Sequence, residues 1–185
     1  MTIETTWDPR ELADAAKMNA RIRDPARTLS NPIRISGAGL SKISSIPGDG
    51  SYRTLKWDTS ETFGAWTVSA DEAFTTPQSG TYFVTADVTA LVPANPTALR
   101  LVCISTSSTG AEREWLRSYN NTLIPRTYLT CSLRGLVYLA KGDRLSFRAN
   151  TPPNTDPWEI SSPARPSGQM NNFSAICIAP EATSL

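Results

Sequence analysis

The feature that most constrains this chain is its punctuation after Thr54. Short alternating runs follow one another, separated by Gly, Pro, Asn or Asp, with no helical spacing between them. Successive side chains on a pleated backbone point to opposite faces, so such runs read as strands. They are TLKWD (54–58), GAWTV (64–68), TYFVTADV (81–88), LRLVCIS (99–105), EWLRSY (114–119), TYLTCSLRGLVYLA (127–140), DRLSFRA (143–149) and FSAICIA (173–179). In 81–88, Tyr82, Val84, Ala86 and Val88 share one face. In 143–149, Leu145, Phe147 and Ala149 oppose Arg144, Ser146 and Arg148. Short strands spaced by turns predict a mainly β fold, a sandwich or jelly roll. A parallel βαβ sheet would need intervening helices, which the pattern lacks.

Upstream of Thr54 the pattern differs. Residues 8–23 read as one short α-helix, with Asp8 as N-cap, Pro9 at its first position and Glu11 completing a capping box. Acids lead (Asp8, Glu11, Asp14) and bases follow (Lys17, Arg21, Arg23), which complements the helix dipole. Leu12, Ala15, Ala16, Asn19 and Ile22 form a narrow stripe. So short a helix is marginal alone and is expected to pack on another body. Residues 25–53 are rich in Gly, Pro and Ser and read as a connector with one or two short strands. The expected organisation is an N-terminal segment at 1–36, a connector at 37–53 and a β domain at 54–185.

Composition narrows the chemistry. The 185 residues include no histidine, which excludes Ser-His-Asp and Cys-His catalysis and His-ligated metals. A net charge of +1 argues against nucleic-acid binding, which needs a basic surplus. No apolar run reaches membrane-spanning length, and the N-terminus lacks a basic-then-apolar leader, so cytoplasmic synthesis without membrane insertion is expected. Cys103, Cys131 and Cys177 are an odd set in apolar runs and read as buried free thiols. No metal site and no cofactor are expected. The nearest acidic pairs are Asp58/Glu61, Glu112/Glu114 and Asp156/Glu159. Glycoside hydrolysis would require two carboxylates facing each other across a sugar. Solvated surface is the simpler reading of all three. Residues 150–172 hold five prolines and Trp158 among polar neighbours. Long irregular connections of this kind are often functional.

Four motifs, in order, resemble the C1q/TNF-like jelly-roll family. They are SSIPGDGSYRTLKWDTSETFGAW (44–66), FTTPQSGTYFVTADV (74–88), CSLRGLVYLAKGDRLSFRA (131–149) and NNFSAICIAP (171–180). The second matches the pattern F-x-x-P-x-x-G-x-Y, the third a K-G-D turn between strands, and the fourth a closing strand with Ala175 where Gly is usual. The resemblance implies a jelly-roll sandwich that forms a homotrimer. Phe83, Leu136, Tyr138 and Phe147 are the expected trimer-interface residues, because all four cannot face one thin core.

The segment TWDPRELADAAKMNARIRDPARTL (6–29) is similar to the opening of small tail and virion proteins of long-tailed bacteriophages. Trp7, Glu11, Ala15, Met18, Asn19, Ile22, Arg23 and Asp24 carry that similarity. It implies a virion-attachment segment docking onto other virion proteins through Trp7, Leu12, Asn19 and Ile22. The expectation is a non-enzymatic minor tail protein (tip, baseplate or fibre) whose trimeric head faces outward. Its loops would contact host envelope glycan, with Asn154, Trp158 and Glu159 as candidates. The alternatives are a capsid decoration or head-fibre protein, and a carbohydrate-active enzyme.

Overall fold

The computed structural model describes residues 31–40, 42–43, 45–70, 73–95, 98–121, 124–153, 156–160 and 171–181. The elements among these residues are all strands: β1 (Arg34–Ala38), β2 (Ser45–Ile46), β3 (Arg53–Thr54), β4 (Thr59–Phe63), β5 (Thr67–Val68), β6 (Phe74–Thr75), β7 (Gly80–Leu91), β8 (Leu99–Thr106), β9 (Glu112–Asn120), β10 (Tyr128–Leu139), β11 (Arg144–Asn150), β12 (Trp158–Ile160) and β13 (Asn172–Pro180). The helix expected at 8–23 lies outside the described residues, as do Trp7, Leu12, Asn19, Ile22 and Asn154.

The strands form two antiparallel sheets. In the first, β4, β1, β13, β7 and β10 lie side by side, and β12 with β2 extends the far end of β7. The second runs β5-β6-β11-β8-β9, with β3 paired to β11. Sandwiches of this kind arise because each sheet is apolar on one face and buries it against the other. The alternation is clean in β7, where Tyr82, Val84, Ala86 and Val88 are buried and Phe83 points out. In β11, Leu145, Phe147 and Ala149 face the core.

Aromatic rings bridge the layers. Phe173 of the first sheet lies 4.6 Å from Phe74 and 5.0 Å from Phe147 of the second, and 4.8 Å from Trp57 between them, centroid to centroid. Offset and tilted stacking at these separations adds to the area buried. Tyr82 gives the 74–82 motif its spacing. Its hydroxyl donates to the Gln78 carbonyl at 2.8 Å and accepts from Thr76 at 2.9 Å, tying the strand back to the Pro77 turn. Burial pushes the Tyr82 phenol well above its ordinary value, so it stays a neutral donor. The Lys141-Gly142-Asp143 turn has Gly142 at φ 90°, where a side chain would be strained. All three cysteines are buried and free, as their apolar settings suggest.

Four expectations are corrected. The span 37–53 is not wholly a connector, because β1 crosses its start and sits inside the first sheet between β13 and β4. The sandwich therefore begins upstream of residue 54. Trp158 is not a surface contact: as the first residue of β12 it is 0% exposed. Phe147 is also 0% exposed, packed against Trp57 and Phe173, and so is unavailable at an outer surface. In TLKWD only Thr54 is in a strand; Leu55 and Trp57 still fill the core.

Close packing at β1 makes a prediction. A Cβ on Gly37 would lie 2.3 Å from the Phe173 ring and 2.8 Å from the Thr59 carbonyl oxygen. Overpacking at such a site costs about 1–3 kcal/mol. Gly37→Ala is expected to lower the unfolding free energy by that amount, seen as a lower urea midpoint at an unchanged slope.

Candidate functional site: an apolar row on an outward sheet face

Residues alternate along a strand, so the strand pairings decide which outward side chains become neighbours. Across the first sheet, Phe63 pairs with Arg34, Arg34 with Ile176, Ile176 with Phe83, and Phe83 with Leu136. These five positions form one row from β4 to β10 on the face turned away from the core. Leu136 is 58% and Phe83 39% exposed. Phe63 is exposed as well, and the Arg34 guanidinium lies 5.6 Å above its ring. Ile176 is half-buried. Tyr138 and Ile178, both exposed, extend the apolar area on one side; Ile178 sits at a bulge in β13. The Tyr138 hydroxyl donates to Glu181 at 2.9 Å, and this bond raises its phenol above the ordinary value.

On the other side of the row the face turns polar. Glu61, Ser36, Ser174, Thr85 and Arg134 make the next row, by the same pairings. Thr85 and Ser174 share a hydrogen bond of 2.9 Å, and beyond them Thr89 and Thr130 share one of 2.8 Å. The hydroxyls are thus satisfied within the sheet, while the apolar row has no cover from this chain among the described residues. Apolar surface gathered in this way is a candidate interaction site.

The site gathers three of the residues singled out from the sequence: Phe83, Leu136 and Tyr138. Reading the sequence missed Phe63 and Ile176. The alternation of FSAICIA could have marked Ile176 as outward, but nothing in TSETF marks Phe63. Glu159 is exposed in β12 and lies outside the row.

In the pair Glu112/Glu114 each carboxylate is held by an arginine. Glu112 accepts from both terminal nitrogens of Arg148, and Glu114 accepts twice from Arg117 at 2.8 Å. Among the described residues no group of three or more His, Cys, Asp or Glu could hold a metal ion. No helix there is long and apolar enough to cross a membrane.

The Arg148 bond holds the Glu112 carboxyl below its ordinary 4.5. A folded-state pKa below the unfolded one adds stability above the unfolded value, which is lost as pH falls through the folded one. The pair faces solvent and is screened, so its worth is at most about 1 kcal/mol. Urea unfolding followed downward from pH 4.5 is expected to show a shallower acid loss in Arg148→Met than in the native protein.

No family model matches the chain, and no curated protein matches its sequence. Among solved structures it is similar to Eiger TNF from S. frugiperda, with a TM-score of 0.57 at 12% identity over 84% of this chain and 98% of that chain. The fold is a TNF-like jelly roll. At that identity the likeness concerns architecture alone, so the role of this jelly roll has to be argued from its own surface.

Proposed function

We propose that this chain is a non-enzymatic structural protein of a bacteriophage virion, a minor tail component whose jelly roll assembles as an outward-facing homotrimer. The observation that carries the assembly is the row Phe63, Ile176, Phe83 and Leu136. A row apolar at four of its five positions, with Arg34 as the fifth, is stabilised when a second body excludes water from its apolar members. A repeated copy is the simplest such body, and the TNF-like fold supports this choice. A second exposed group, Tyr119, Ile124 and Tyr128, lies around the far end of β10. Two different patches on one chain suit head-to-tail packing, which closes into a ring when the rotation allows.

The place in the virion rests on residues 6–29 and their similarity to phage tail proteins. Trp7, Leu12, Asn19 and Ile22 dock the segment on its virion partner. Host contact then falls to Asn154 and to Glu159 on β12, with buried Trp158 removed. For Glu112 a general-acid role is disfavoured, because such an acid needs a raised carboxyl pKa and the Arg148 bond lowers that of Glu112.

Sedimentation equilibrium of the purified chain is expected to give a trimer of 20.1 kDa subunits. Labelling the N-terminus in intact particles is expected to mark tails. Marked heads would make the protein a capsid decoration or head fibre. A monomer at high concentration would remove the assembly. Release of reducing sugar from host envelope would restore the enzyme alternative.

A further inference from the structure

The polar row beside the apolar one ends in opposite charges. Glu61 on β4 and Arg134 on β10 are both exposed and occupy its two ends, with Ser36, Ser174 and Thr85 between them. Neither takes part in an ion pair among the described residues. Four strand spacings separate them, roughly 19 Å, so they are beyond contact within one chain. β4 and β10 are also the two lateral edges of this five-strand face. The same edges place Phe63 and Leu136 at the ends of the adjacent apolar row.

A body that covers the apolar row therefore meets a carboxylate at one edge and a guanidinium at the other. A second copy of the chain brings the matching charges. In head-to-tail packing the β10 edge of one copy approaches the β4 side of the next, and Arg134 meets a carboxylate. Two-fold packing of the kind that sets β10 against β10 would instead bring Arg134 against Arg134, a like-charge contact that disfavours it. We propose that Arg134 of one copy pairs with Glu61 of the next across the apolar row, and that this pair sets the head-to-tail direction of assembly. The inference rests on the homotrimer proposed above and adds its polarity.

Charge reversal tests it. Glu61→Arg and Arg134→Glu are each expected to raise the concentration for half-dissociation of the trimer by about tenfold or more, since each sets like charges against one another. The double variant E61R/R134E is expected to recover most of the native value. Restoration can only come from contacts between copies, given the separation within one chain. Salt should weaken the native trimer modestly and leave E61A/R134A less affected, because screening shortens to about 3 Å at 1 M. Both reversals lie at exposed positions, so thermal unfolding of each variant is expected to stay cooperative.

If the native chain is a trimer and the reversals leave association unchanged, or the double variant fails to recover, the pairing is wrong and the trimer stands. If the native chain never associates, the proposed assembly fails and the pairing with it.

Discussion

Phe173→Ala is expected to be the most damaging single truncation in the domain. The Phe173 ring stacks on Trp57, Phe74 and Phe147 at centroid distances of 4.6–5.0 Å and lies over Gly37, its pairing partner on β1. It therefore joins both layers and two neighbouring strands. Truncating a buried Phe costs about 3–5 kcal/mol through lost transfer energy and the cavity left behind. Domains are typically stable by about 5–15 kcal/mol, so such a loss removes a large share of the stability. Urea unfolding followed by tryptophan fluorescence measures it. Phe173→Leu keeps much of the volume and is expected to lose less. A native-like midpoint for Phe173→Ala would mean that the aromatic stack is not what joins the layers.

Leu136→Asp and Phe83→Asp are expected to have the largest effect on assembly and little on the isolated domain. Both side chains face outward, so a carboxylate there stays in water in a monomer, and surface changes of that kind fall within about 0.5 kcal/mol. In a trimer the same carboxylate would be taken out of water among apolar neighbours, which costs several kcal/mol per ion. That corresponds to roughly a hundredfold or more in association. Sedimentation should move from trimer to monomer while the thermal transition stays cooperative. Ser108→Asp, in an exposed turn after β8, is the control and should leave the trimer intact. A trimer that tolerates both aspartates would place the interface elsewhere.

The burial of side chains within long strands is legible because parity is local. Tyr82 and Val84 point one way, so Phe83 must point the other; Val137 and Leu139 do the same for Leu136 and Tyr138. The same parity sends Phe147 inward with Leu145 and Ala149, and overrides its assignment to an interface. Short elements are harder to read. In β4 every residue is exposed, so TSETF shows no alternation to detect. β1 carries Gly37 because Phe173 occupies the space of a side chain, which makes a central strand resemble a linker. Trp158 stands among prolines and polar residues, and only its pairing with Ile46 reveals a buried strand.

By itself the sequence determined the β class, the inward and outward sides of the long strands, the Lys141-Gly142-Asp143 turn and the absence of histidine chemistry. These follow from local alternation, turn residues and composition. Tertiary structure alone decided that Phe63, Ile176, Phe83 and Leu136 stand in one row, and that Glu61 and Arg134 end the next. The physical reason is that register between strands distant in sequence is set by the packing of two whole sheets, which no local pattern encodes.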